Sequence, residues 1–279
     1  MKTFAAINVG SYEQSLKIYT ITKNSGIREV DWIRNRLDLG GTFATGKLSH
    51  EVMDELCAVL RNFVSIMEGY RVDDYRACAT SAIRETKNTA IVLDQIMQRT
   101  GVKLDVLSNS EQRFLDYKSI ASRGGFEKII EKGTLVLDIG GGSIQMSLFD
   151  KDKLSATQNM RLGVLRLQEK MSRLNVRPSE NGPLLEELLE AQLSVFRKMY
   201  LKDRVIENII VVDDYISALI LGKLGKVAGS GYLDRDSMAS YMNYLHDHTD
   251  MEIVRYFDTP EENVPLLRIS SAIVRQVAL

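Results

Sequence analysis

The chain has 279 residues, room for two compact domains with cores of their own, and its acidic and basic residues nearly cancel to a formal net charge of -1. It has no Lys/Arg-rich run that would follow a nucleic-acid backbone and no apolar stretch near the length of a membrane span, so neither a nucleic acid nor a membrane is expected as a partner. The opening MKTFAAINVG lacks the apolar core of a signal peptide. The two cysteines, Cys57 in a helical pattern and Cys78 in a strand-like run, read as small buried hydrophobes of a cytoplasmic protein.

FAAINV (4–9), SLKIYTIT (15–22) and REVDWIRNRLDL (28–39) are β-rich runs joined by Gly, Asn and Ser, which predicts a three-stranded meander. From His50 to Met67 the residues Val52, Leu56, Val59, Leu60, Phe63 and Met67 form one helical stripe, and YRACAT (75–80) follows as a short strand. A helix over Thr89 to Gln98, a strand at VKLDVLS (102–108) and a helix from Ser110 to about Ser122 complete the first half. The pair Gly124-Gly125 marks a boundary, which gives domains 1–124 and 125–279. The second half opens again with strands, TLVLDIG (134–140), SIQMSLFD (143–150) and KLSATQNMRL (153–162). It turns helical through LEELLEAQLSVFRKMYL (185–201) and returns to a buried strand at NIIVVDD (208–214). The close, about 263–279, is an amphipathic helix carrying Val264, Leu267, Ile269, Ile273, Val274 and Val277. It is expected to pack against a domain, the first included, or over the hinge, with partner binding as the lesser use.

AAINVGS (5–11) and VLDIGGGS (136–143) echo each other: an apolar strand ending in Asn or Asp, then Gly, then Ser, then a second strand. Two glycine-turn hairpins, one opening each half, predict two related α/β domains facing one another across a cleft. A glycine-rich turn leaves backbone N–H groups uncovered for an anion, and Gly140-Gly141-Gly142-Ser143 suits that use, a plain tight hairpin being the alternative. A dinucleotide fingerprint needs the turn to open a helix, whereas Ile144 to Phe149 alternates like a strand. A Walker loop is excluded because no Gly-Lys-Ser/Thr follows. Asp138, at the mouth of an apolar strand, needs a cation, a donor or water, and magnesium carried by a polyphosphate is the natural partner; a surface turn is the other reading.

Several segments together resemble the exopolyphosphatase/guanosine pentaphosphate phosphohydrolase family: the strand-turn pairs at 5–11 and 136–145, CATSAIRETKN (78–88), LSNSEQRFLDY (107–117) and RLGVLRL (161–167). The resemblance implies two related actin-like ATPase (ribonuclease H-like) domains, and a hydrolase that removes terminal phosphate from polyphosphate or guanosine pentaphosphate by metal-assisted attack of water. It implies Glu111, placed by its spacing to Arg113, as the water-activating base, with capping of its helix from Ser110 or Asn109 as the alternative use. It further implies Gly10, Ser11, Arg84, Asn88 and the Gly140, Gly141, Gly142, Ser143 turn as phosphate ligands, Gln145 in the second hairpin as a water-positioning catalytic group, and Asp138 with Asn8 at Mg2+. A homodimer is left open. Longer family members carry a C-terminal domain of the HD-like type, for which this chain has no room.

Three positions depart from the family pattern. Asn8 stands where an Asp is usual and Gln145 where a Glu is usual, so two acids have become amides that can orient water but supply no charge. At 208–219 the usual Gly-rich phosphate loop is replaced by a stretch with Asp213 and Asp214, a solvated turn or a metal pair, which excludes a sugar kinase or chaperone-type ATPase. The alternative function is then a degraded phosphate- or nucleotide-binding module of the same fold. His246-Asp247-His248 reads as a polar helix end and Gly229-Ser230-Gly231 as a plain loop.

Overall fold

In a computed structural model the described residues are 1–24, 26–122, 124–174, 181–213, 215 and 233–278. Asp214 and the Gly229-Ser230-Gly231 loop lie outside them. The chain divides into two units, Met1–Asp116 and Tyr117–Leu279, and the division falls inside a helix, Asn109–Ser122.

The first unit contains β1 (Lys2–Val9), β2 (Glu13–Thr22), β3 (Gly26–Arg36), α1 (Gly41–Thr45), α2 (His50–Gly69), β4 (Asp74–Ala79), α3 (Ser81–Arg84), α4 (Thr89–Thr100), β5 (Leu104–Val106) and the start of α5 (Asn109–Ser122). Its sheet runs β3-β2-β1-β4-β5, the first three strands antiparallel and the last two added in parallel. Side chains alternate between the faces of a strand, and one face collects Ala5, Ile7 and Val9 of β1, Leu16 and Ile18 of β2, and Ala77 and Ala79 of β4. The helix α2 buries Met53, Leu56, Cys57, Leu60, Phe63 and Met67 in the same core, a helical spacing of three and four residues. Val52 and Val59 flank this stripe half-buried, so its centre lies one residue round from the sequence reading. Ser49 caps the helix, its Oγ accepting from the Val52 N–H at 3.3 Å. Gly101 ends α4 in the left-handed region at φ 70°, where its N–H donates to Met97 O.

The second unit contains α6 (Phe126–Ile130), β6 (Thr134–Ile139), β7 (Ile144–Asp150), β8 (Lys153–Met160), α7 (Val164–Leu174), α8 (Asn181–Phe196) running into a π-helical turn, β9 (Asn208–Asp213), α9 (Arg235–Asp247), α10 (Asp250–Phe257) and α11 (Val264–Ala278). Its sheet runs β8-β7-β6-β9, with β9 parallel to β6, which repeats the first four strands of the other unit. Nearly every residue of β6 and β7 is buried, so both strands read as continuous apolar runs rather than alternating ones. On one face Phe149 meets Tyr117 and Phe126 edge to face, with ring centroids 5.2 and 5.5 Å apart. The closing helix α11 packs inside this unit, on α7, α8, α9 and β9. Its N-terminal neighbour α10 begins with a capping box formed by Thr249 and Glu252.

Cys57 is fully buried as expected, but Cys78 is only half-buried, because it points to the sheet face opposite Ala77 and Ala79. Among the described residues no helix is long and apolar enough to cross a membrane.

Phe63 is fully buried at the centre of α2, and Phe63→Ala removes its ring from a core of apolar neighbours. Unfolding by urea should show a loss of about 3–5 kcal/mol in the transition that reports on the first unit.

Candidate functional site

The second hairpin is held from outside by the start of α7. Gly140 N–H donates across the turn to Ser143 O at 3.0 Å, and the turn's carbonyls are then bound in succession. Val164 N–H donates to Gly140 O at 3.0 Å, Arg166 N–H to Gly141 O at 3.1 Å, and Arg166 Nε–H to Gly142 O at 2.8 Å. In a planar trans peptide the C=O and the following N–H point in opposite directions. Fixing three carbonyls toward α7 therefore turns the N–H groups of Gly141, Gly142 and Ser143 to the other side, where they meet no protein acceptor among the described residues. Buried N–H groups without partners are costly, and a row of them forms an anion cradle. Gly163 makes the approach feasible: a Cβ there would lie 2.3 Å from Gly141 O and from Ser143 N.

One register step inside this turn, three polar residues stand in a row across the sheet: Asp138 on β6 opposite Gln145 on β7, and Gln145 opposite Asn159 on β8. Directly opposed residues of antiparallel strands project to the same face. Gln145 is 4% exposed, and its Oε1 is buried without a hydrogen-bond donor among the described residues, which suits a donor such as water. Asp138 is half-buried. Magnesium takes oxygen ligands, needs only one or two carboxylates and keeps waters, so Asp138 beside a water-seeking amide oxygen fits a hydrated ion. Among the described residues no group of three or more His, Cys, Asp or Glu could hold a metal ion. Asn159 was not among the sequence candidates; its only signal was its place in KLSATQNMRL, opposite Gln145 once the hairpin is drawn.

The first hairpin repeats the geometry with different chemistry. Gly10 N–H donates to Glu13 O at 3.0 Å, and a Cβ on Gly10 would come within 2.8 Å of that oxygen. The carbonyls of Ser11 and Tyr12 accept from Leu39 and Leu37 N–H at 2.8 and 3.3 Å, while Gln14 Nε2 braces the turn from Gly10 O to Leu37 O. The Ser11 hydroxyl is buried 2.9 Å from the Ser81 hydroxyl at the start of α3. Asn8 is exposed, paired with Ser15 on β2 and Cys78 on β4. It occupies the row that Asp138 occupies in the other sheet.

Arg84, on α3, donates through Nη1 to Leu107 O at 2.7 Å and reaches Gln112 Oε1 at 3.4 Å. Burial pushes its pKa down, yet it stays a cation, and its Nε and Nη2 edge makes no protein hydrogen bond among the described residues. A guanidinium edge of that kind can take phosphate oxygens bidentately. Asn88 is used differently. Its amide donates to Leu48 O and accepts from Leu48 N–H, both at 3.1 Å, and Thr86 also donates to it. It pins the segment ahead of α2.

Glu111 sits in the first turn of α5, exposed, in a reciprocal capping box with Ser108. Its Oε2 accepts from Ser108 N–H at 2.9 Å, and Ser108 Oγ accepts from Glu111 N–H at 3.2 Å. The cap is thus Ser108 rather than Ser110 or Asn109. Hydrogen bonds to the carboxylate from the Ser108 backbone N–H first and the Ser108 side chain second hold the Glu111 carboxyl below the usual glutamate range, with Arg76 adding a smaller pull.

Asp213, at the end of β9, accepts from Tyr215 N–H at 2.6 Å and from the Ser270 hydroxyl of α11, so it serves as a turn and helix anchor. The His246–His248 segment forms the end of α9. Arg268 donates to Leu245 O and His248 O, both at 2.6 Å, and the His248 ring stacks on Tyr244 at 3.8 Å.

The family model described as the Ppx/GppA phosphatase family matches residues 22–224. Exopolyphosphatase 1 of Mycobacterium leprae is 27% identical over 154 residues, covering 55% of this chain and 44% of that protein. A guanosine-5'-triphosphate,3'-diphosphate pyrophosphatase of Photobacterium profundum is 25% identical over 181 residues, covering 64% of this chain and 35% of that protein. The chain spans less than half the length of these curated relatives. Among solved structures, an exopolyphosphatase from Cytophaga hutchinsonii superposes with a TM-score of 0.84 at 18% identity, covering 99% of this chain and 90% of that one. The Aquifex aeolicus Ppx/GppA family member superposes at 0.73 and 20% identity, covering 98% of this chain and 88% of that one. At such identities the superpositions show the fold: two related units of the actin-like ATPase type.

Two outcomes follow from this geometry. Gly163→Ala must push backbone aside, so unfolding by urea should show a loss of at least about 1–3 kcal/mol in the second unit, together with weakened phosphate binding in calorimetry. For Glu111 the folded pKa is depressed, so its stabilising contribution is present above the unfolded glutamate range and is lost as pH falls through the folded value. Carboxyl carbon NMR should show Glu111 titrating below ordinary glutamates, and Ser108→Ala, which removes the hydroxyl but keeps the backbone N–H donor, should bring it only part of the way back.

Proposed function

Since the chain belongs to the Ppx/GppA phosphatase family, we propose that it is a phosphoanhydride hydrolase that removes the terminal phosphate of polyphosphate or of guanosine pentaphosphate. The observation that carries this reading is the row of outward-turned N–H groups at Gly141, Gly142 and Ser143, with Asp138 and Gln145 one register step away. Those N–H groups bind phosphate oxygens, as does the open edge of the Arg84 guanidinium. The turn at Gly10 and Ser11 contributes the backbone N–H groups its hairpin leaves over, while the Ser11 hydroxyl stays with Ser81. Asp138 would hold Mg2+; the ion, when bound, neutralises phosphate charge.

Phosphoryl transfer passes through a loose transition state, so the protein's work is to position water and stabilise charge rather than to form bonds. Gln145 Oε1 accepts a hydrogen bond from the attacking water and fixes its orientation. Glu111, like any exposed glutamate, is ionised across the neutral range; its depressed pKa makes it a weaker base, so its part is to orient water by hydrogen bonding and to take a proton only late. Asn88 supports this arrangement by anchoring the Leu48 segment rather than by touching phosphate. The two amides, Asn8 and Gln145, also favour a second reading, in which the chain binds phosphate compounds without turning them over.

Phosphate release should be measured from polyphosphate, guanosine pentaphosphate and nucleoside triphosphates with magnesium. Glu111→Gln should lower kcat by roughly 10²–10⁴-fold, with the acid limb of the wild-type profile below the ordinary glutamate range. No release from any of them, with measurable binding of one, overturns the hydrolase. Activity appearing only in Asn8→Asp with Gln145→Glu would identify the binding module.

A further inference from the structure

We propose that Asn159 and Gln145 together seat one water molecule beside the Gly140–Ser143 turn, and that Asn159 is a positioning residue for the water that attacks phosphorus. The catalytic half of this proposal rests on the hydrolase reading above; the water seat does not.

Gln145 and Asn159 are direct register partners on β7 and β8, so their side chains leave the same face of the sheet side by side. Gln145 Oε1 is an acceptor and Asn159 Nδ2 is a donor. Both atoms are buried, and among the described residues both lack a hydrogen-bond partner. Two complementary groups on facing residues would ordinarily bond each other, as the next pair on this face does: the Ser147 and Thr157 hydroxyls, two residues further along each strand, stand 3.1 Å apart. The Gln145–Asn159 pair leaves its two atoms open instead. Buried polar atoms are almost always satisfied, and the species that satisfies an acceptor and a donor at once is water, donating one hydrogen to Gln145 Oε1 and accepting from Asn159 Nδ2.

Such a water keeps one hydrogen and one lone pair. The seat lies one register step from Ile139 and Ile144, the pair that closes the hairpin under the anion cradle, and Asp138 completes the row on β6. A water with two of its four directions fixed has lost most of its orientational freedom before phosphate arrives, and that loss is the main cost of an in-line attack. Asn159 acts on this water from the side opposite Asp138. Among the described residues its Nδ2 donates to none of the turn's carbonyls, all three of which are bound by α7.

A high-resolution crystal structure of the wild-type chain should show an ordered water within about 3.2 Å of both Gln145 Oε1 and Asn159 Nδ2; the two amides bonded directly to each other would overturn the seat. In phosphate-release kinetics Asn159→Ala should lower kcat by about 10–100-fold with KM within about twofold of wild type, as expected for a group that positions water and not substrate. The double variant Gln145→Ala with Asn159→Ala should lose no more than the worse single variant, because both remove the same water. Multiplying losses, or an unchanged kcat in Asn159→Ala, would overturn the positioning role. Thermal unfolding checks that each variant folds, and Asn159→Ser replaces Asn159→Ala if it does not. If the wild type hydrolyses none of the substrates, the hydrolase reading fails and the crystallographic water alone decides for or against the seat.

Discussion

The contact on which the second unit depends is the one between Gly163 and the turn at Gly141 to Ser143, where two stretches of backbone approach so closely that a single methyl group would overlap both a carbonyl and an amide nitrogen. That closeness lets the first N–H groups of α7 and the Arg166 side chain reach the turn's carbonyls. The direction of the turn's own N–H groups then follows from peptide planarity alone. The anion site we propose here would be the reverse side of a packing contact. The glycines are needed as much for the fit beneath the turn as for the space above it, and none of the three adopts a positive φ.

The two units show how far a repeated backbone can diverge in chemistry. Each hairpin closes with the same hydrogen bond, from the first glycine N–H to the oxygen three residues on, at 3.0 Å in both. In the first unit the turn is tied to the Leu37–Leu39 segment and to Ser81, and the polar row beside it is Ser15, Asn8 and Cys78. In the second the row is Asp138, Gln145 and Asn159, with one carboxylate and two amides, two of whose atoms are buried and unpartnered. Folding tolerates such atoms at a cost of about 1–3 kcal/mol each unless water or a ligand meets them. The chemistry is therefore concentrated where the fold alone leaves polar groups unsatisfied.

Several residues of the family signature hold structure and present chemistry at once. Glu111 caps α5 through Ser108, and the same contacts that cap the helix lower its pKa. Arg84 spends one nitrogen on Leu107 O and keeps its other edge open. Asn88 has gone over to structure, its amide matched to both backbone groups of Leu48.

The sequence by itself determined the strand-rich opening of each half and the hairpins in it, because apolar alternation and glycine turns are local signals that a chain displays in order; the order of the strands in each sheet came from the structure. It also displayed the candidate residues Asp138, Gln145, Glu111 and Arg84, since their motifs are contiguous. It placed the α2 stripe one residue off and missed α7, whose residues read only as a signature, because which face of a helix is buried depends on what lies across from it. Tertiary structure alone decided the rest. Gly163 and Arg166 bind the turn from twenty or more residues away, the capping residue of α5 is Ser108, and Asn159 faces Gln145 only once β7 and β8 pair. These are matters of register and close approach, and no run of neighbouring residues encodes a distance between segments that meet only after folding.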